Sequence, residues 1–250
     1  KKIDMGTSKS FSDVKHTMIP NWGVLSSSLT SNCDSSVLST QKLQNIMGHF
    51  VSTLSGASTG GRGGSKAGGR SSIRTAKKIG GVFSKFISSG NNIRQTLEFT
   101  GLTDIENKTV EDIINHLIEY CSGSATSIDD NAAKEATRLL FEELMGQAES
   151  IDEVQALLQE TFTTNTLEDV IIKYFGYYIN ELLSKWFYEN LIKNKSENDC
   201  NNLFGQIKNF IVERVEDIHK KNPLQNVDWS SDEADRLIKN IQQDVLTVFE

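Results

Sequence analysis

From about residue 100 onward, a Ser or Thr repeatedly stands three positions ahead of an acid and just before an apolar pattern of helical period. Thr109 precedes Asp112, Ser127 precedes Asp130, Ser150 precedes Glu153, Thr166 precedes Asp169 and Ser230 precedes Glu233. Such a hydroxyl accepts an exposed backbone N–H at a helix start, and the acid can return to the cap's own N–H. Each pair therefore marks a helix N-terminus. The residues behind each pair supply one apolar face, as with Ile113, Ile114, Leu117 and Ile118, or Val154, Leu157, Leu158 and Phe162. A further helix is read over about 198–220, with Asn222-Pro223 ending it. Apolar faces must be buried against one another, and no strand-period segment of convincing length interrupts them. The fold class is thus all-α, with a helical bundle-like domain over 100–250.

Upstream the character changes. Residues 1–37 are polar and serine-rich and read as a flexible, largely extended N-terminal arm with one apolar cluster, Met18-Ile19-Pro20-Asn21-Trp22. Over 38–55, Leu43, Ile46, Met47, Phe50, Val51 and Leu54 fall on one face and predict an anchoring helix. Residues 56–90 form a basic Gly/Arg/Ser segment holding ten of the chain's 18 glycines, seven Lys or Arg and no acid. The chain carries 26 Lys+Arg against 33 Asp+Glu, so the remainder without these seven is 19 against 33, a net of −14. Glycines raise the entropy lost on ordering, so residues 60–69 are expected to be disordered in the isolated protein. From Ser71, the spacing of Ile73, Ala76, Phe83, Phe86 and Ile87 predicts a short basic amphipathic helix, weakened at Gly80-Gly81. Residues 91–100 read as a connector.

Catalytic chemistry is not evident. The glycine segment lacks the Gly-Lys-Ser/Thr ending of a phosphate loop, since Lys66 sits between Ser65 and Ala67. Asp112, His116 and Glu119 share a helix side but suit a solvated face better than a metal site, and no metal ligands are assigned. The Asp129-Asp130 pair reads as helix-start charge. Cys33, Cys121 and Cys200 are widely spaced and form no Cys-x-x-Cys, which points to a reducing, cytoplasmic setting. No apolar run reaches the roughly 18–20 residues of a membrane span, and the polar residues after Lys1-Lys2 give no signal peptide. The aromatic residues Tyr174, Phe175, Tyr177, Tyr178, Trp186 and Phe187 read as a core or a dimer seam.

Two binding readings follow from the residues. Arg62, Lys66, Arg70, Arg74, Lys77 and Lys78 form a candidate surface for nucleic acid or for an acidic protein face. The alternative function class is therefore a nucleic-acid-binding protein acting through residues 62–85. Met5-Gly6-Thr7-Ser8-Lys9-Ser10 matches the myristoylation pattern, and removal of Met5 would expose the amine of Gly6.

The order of four motifs adds a resemblance. MGTSKSF at 5–11, MIPNW at 18–22, SIRTAKKIGG at 72–81 and SIDDNAAKEA at 127–136 resemble the QatB family of the bacterial four-component Qat anti-phage system. The chain departs from the family in having few prolines in its arm. The resemblance implies a non-enzymatic defence component, a scaffold or adaptor without a cofactor of its own. It implies as partners an ATPase (QatA), a QueC-like enzyme (QatC) and a TatD-like nuclease (QatD), with no membrane. The Met18–Trp22 cluster and the helix behind it read as anchors for a partner or for the protein's own helical domain, with Trp22 the main one. Met5, Thr7, Ser8, Ile19, Pro20 and Trp22 are the expected partner-docking residues. Gly6 is then expected either to dock in the QueC-like partner or to carry a covalent 7-deazaguanine-type modification, because QueC-type chemistry activates a deazaguanine carboxylate for attack by an amine.

Overall fold

A computed structural model describes residues 22–57, 69–218, 224 and 227–250, and the regular elements among them are all helical. They are α1 (Trp22–Asn32), α2 (Thr40–Ala57), α3 (Arg70–Ser88), α4 (Ile93–Phe99), α5 (Val110–Ser122), α6 (Ile128–Met145), α7 (Ile151–Thr164), α8 (Leu167–Leu191), α9 (Glu197–Glu216) and α10 (Asp232–Thr247). The all-α expectation holds for these residues. The chain divides into two compact units.

The first unit contains α1, α2, the end of α8 from Phe187, α9 to Phe210, and Phe249-Glu250. Here the structure departs from the extended arm expected over 1–37, because Trp22–Asn32 is a helix. Trp22, Leu25 and Leu29 are buried on one side of α1. Their i, i+3, i+7 spacing was hidden among serines, which favour helix weakly and win no helix without burial. The anchoring helix is present as α2, with Leu43, Ile46, Met47, Phe50 and Val51 buried. The turn between α1 and α2 is laid on α9. Gln206 Oε1 accepts from the Leu38 amide at 2.6 Å, and the Asn202 side-chain amide donates to the carbonyls of Ser35 and Ser36.

The second unit is built around α3 and contains α4 to α7, α8 to Trp186, the end of α9 and α10. Helix α3 packs on α4, α5, α6 and α10. It is 19 residues long and buries Ile73, Ala76, Ile79, Val82, Phe83 and Phe86. The expected short, weakened helix is therefore a central one, and the compact unit begins at Gly69 rather than near residue 100. Gly80 does not break α3, because its bare Cα admits the Trp229 ring. A Cβ there would lie 2.1 Å from Trp229 Cζ3. The expected connector at 91–100 contains α4. Gly90 and Asn91, at φ 73° and 62°, turn the chain, and Asn92 Oδ1 then accepts from the Gln95 amide as its cap.

Most of the cap signals are realised. Thr109 with Asp112 and Ser127 with Asp130 form complete capping boxes. Thr166 and Asp169 exchange the same bonds. Ser150 forms half a box, because Glu153 accepts from the Glu149 amide at 2.8 Å instead of from Ser150. The last helix is capped one residue later than expected, by Ser231. Ser230 is drawn into a turn in which its amide and hydroxyl both donate to Asp228 Oδ1.

Candidate functional site

The expected site residues fall into three groups. Met5, Gly6, Thr7, Ser8, Ile19, Pro20, Arg62 and Lys66 lie outside the described residues, as does most of the 60–69 segment. Trp22 stands at the root of the arm. Arg70, Arg74, Lys77 and Lys78 stand on α3.

Trp22 is buried to 7% exposure, and its ring stacks on Phe187 with centroids 4.4 Å apart and planes at 27°. An offset stack of this kind adds to the area the indole removes from water. Residue 22 is therefore held at a fixed point of the first unit. The apolar MIPNW cluster thus ends in a docked aromatic, as a helix-to-core contact.

On α3 the cations meet groups of their own unit. Arg74 pairs with Asp130 at 3.2 Å and Lys77 with Asp235 at 3.1 Å. Lys77 Nζ also donates to the Ser231 carbonyl, and Lys78 Nζ donates to the Tyr120 carbonyl at 2.6 Å. Lys78 lies 5.2 Å from the centre of the Tyr120 ring. Arg70 is exposed. Two of the four, Arg74 and Lys77, thus meet acids of their own unit, and Lys78 meets a carbonyl and a ring.

A polar junction at the start of α3 was not recognised in the sequence. Gly69 offers no side-chain cap to α3. Asp129, from the first turn of α6, supplies it. Its Oδ2 accepts from the Ser71 amide at 3.1 Å, and its Oδ1 accepts from the Tyr178 hydroxyl at 2.8 Å. Tyr178 Oη in turn accepts from the Gly69 amide at 3.1 Å. The neighbouring Asp130 accepts from the Ser71 hydroxyl at 2.5 Å while it closes the α6 capping box. One acid pair thus terminates two helices, with each anion at the positive end of a dipole. The close approach requires a glycine, since a Cβ at residue 69 would lie 1.8 Å from Asp129 Oδ2. Below the junction the Gln242 amide donates to the Ser72 hydroxyl, which donates to the Gly69 carbonyl.

The electrostatics follow from these bonds. Hydrogen bonds from Ser71, then Ser127 and Thr126, hold the Asp130 carboxyl well below the usual carboxylate range. Burial, then the Asp129 charge, drives the Tyr178 phenol well above its ordinary value, so it serves as a neutral donor. Tyr177 is driven up likewise, by burial and then by its hydrogen bond to Glu143. The only sequence signal for this junction was the Asp129-Asp130 pair itself, and the second acid accounted for the cap alone.

Asp112, His116 and Glu119 each have other partners. His116 Nε2 lies 2.9 Å from the Thr100 hydroxyl, Asp112 closes its capping box, and Glu119 pairs with Lys134. Among the described residues no group of three His, Cys, Asp or Glu is placed to hold a metal ion. A groove of about 530 Å³ in the first unit is lined by α2 residues including Gln44 and His49, and by Phe249 and Glu250. Among the described residues no helix is long and apolar enough to cross a membrane.

Comparisons with curated proteins and with solved structures gave no match. A family model described as "Qat anti-phage system associated protein QatB" matches residues 60–249, a span that takes in α3 with its junction and all the helices after it. Over that span, most of its length, the chain belongs to the QatB family of Qat anti-phage system associated proteins.

Proposed function

We propose that the protein is a non-enzymatic scaffold of the Qat system, acting in the bacterial cytoplasm, whose N-terminal arm delivers Gly6 to the QueC-like partner, QatC. The partner would activate a 7-deazaguanine carboxyl group with ATP. The Gly6 amine would attack the activated carbonyl carbon. An amide bond forms, the activating group leaves, and the amine loses a proton to solvent. An α-amine with an ordinary pKa of about 8 is partly neutral near pH 7, whereas Lys9, near 10.4, is not. Removal of the chain through Met5 exposes that amine, and Thr7, Ser8, Ile19 and Pro20 would guide the arm. QatA and the TatD-like QatD would assemble on the same scaffold.

The observation that carries this reading is the buried Trp22–Phe187 stack, which gives the arm a fixed point of departure. An arm that must find a pocket works best when its root is held and its effective concentration is set by its length. The rival reading, nucleic-acid binding through 62–85, is weakened by the engagement of Arg74, Lys77 and Lys78 inside their own unit.

Trp22→Ala tests the root. Truncating a buried aromatic costs about 3 kcal/mol, so the thermal midpoint should fall and capture of the QueC-like partner should weaken. Gly6→Pro should leave the midpoint unchanged and still weaken capture. Unchanged capture in both variants would contradict the arm's role.

A further inference from the structure

We propose that Cys33 and Cys200 form an intramolecular disulfide on two-electron oxidation by a peroxide, a covalent lock between the end of α1 and the first turn of α9. The two Sγ atoms lie 3.6 Å apart, and both residues are fully buried. A disulfide needs about 2.05 Å between sulfurs, a closure within reach of side-chain rotation.

A second observation supports the pairing. The backbone on both sides is already held in the reduced protein. Asp34, next to Cys33, pairs with Lys195, just before α9. Asn202 binds the carbonyls of Ser35 and Ser36, and Gln206 binds the amide of Leu38. These bonds keep the sulfurs opposed, which raises their effective concentration for each other. The third cysteine, Cys121, is in α5 of the other unit, and burial drives its thiol well above the ordinary range. It serves as an internal control.

The chemistry balances with one peroxide. Cys33 or Cys200, as the thiolate, attacks a peroxide oxygen. The O–O bond breaks, hydroxide leaves, and a sulfenic acid remains. The thiolate of the other cysteine attacks that sulfur, the S–S bond forms, and hydroxide leaves. Two thiols and one hydrogen peroxide give one disulfide and two waters. Burial, then the hydrogen bond with Cys200, pushes the Cys33 thiol up to about 12. Cys33 therefore rests as a thiol, and the buried pair reacts only when an oxidant reaches it through local opening of the α1 end. Once formed, the bond ties α1, and with it the root of the arm, to α9. This inference stands apart from the proposed chemistry at Gly6.

The test is mass spectrometry of the full chain after hydrogen peroxide, followed by alkylation in denaturant. The expected result is a loss of about 2 Da, with a cross-linked Cys33–Cys200 peptide. One of the three thiols, Cys121, should remain alkylatable. The thermal midpoint should rise on oxidation and fall back on reduction. The same treatment should leave the midpoints of Cys33→Ser and Cys200→Ser unmoved. Three alkylatable thiols after treatment would overturn the proposal. So would sulfinic acid in place of the cross-link, a bond involving Cys121, or a dimer linked between chains.

Discussion

Gly80 and Gly81 are neighbours in α3 with different relations to one ring. A Cβ on Gly80 would lie 2.1 Å from Trp229, within the ring's own volume. A Cβ on Gly81 would lie 3.6 Å from Trp229 Cβ, an ordinary contact. Gly80→Ala must displace the indole, and overpacking of this kind costs about 1–3 kcal/mol. Gly81→Ala should instead stabilise by up to about 1 kcal/mol, through helix propensity and a less flexible unfolded chain. Urea denaturation of the two variants checks the contrast, and equal effects of the same sign would contradict the packing described. In the sequence the two glycines were indistinguishable and read together as a weak point. What separates them is Trp229, far along the chain, and local propensity carries no record of it.

The junction of α3 and α6 makes a prediction at the scale of elements. Asp130 is held low by hydrogen bonds that the unfolded chain lacks. Unfolded, its carboxyl titrates near pH 4, so below about that pH the unfolded state takes up the proton first. Its contribution is therefore complete above about pH 4 and is lost as the pH falls toward the folded value. Asp130→Asn should lower the urea midpoint at neutral pH and flatten its decline between about pH 4 and pH 3. Parallel acid limbs in wild type and variant would contradict this role. Asp112, by its cap bonds with Thr109, and Asp228, by its turn bonds from Ser230, are shifted in the same direction, so part of the slope should persist.

Helix starts were legible because a cap is a local device. Thr109, Ser127 and Thr166 needed only an acid three residues on. The sequence reading failed where a competitor stood nearby, as Glu149 does for Glu153 and Asp228 does for Ser230. It also failed where the partner was distant. Asp129 could be read as an N-terminal charge, but not as the cap of a helix some sixty positions earlier, whose bond to Ser71 spans a separation of 58. Helix α1 was missed because its apolar face is thin and gains its worth from Phe187.

For the whole molecule, the family and the helical class were both within reach of the sequence, because the motifs at 72–81 and 127–136 meet at one structural junction. Arg74 of the first motif pairs with Asp130 of the second, Ser72 donates to the Gly69 carbonyl, and Ser71, just ahead of the first motif, bonds with Asp129 and Asp130. Division into two units was not legible, since α8 and α9 each contribute to both. The proposed scaffold, with an arm that carries its chemistry at Gly6, stands or falls with the fate of that amine. Intact mass of the protein, expressed from Met5 together with the QueC-like partner, tests it most directly. The expected result is an added deazaguanine-type mass that fragmentation places on the Gly6 amine and that Gly6→Pro abolishes. Added mass on Lys9, or no added mass while anti-phage protection is intact, would contradict it.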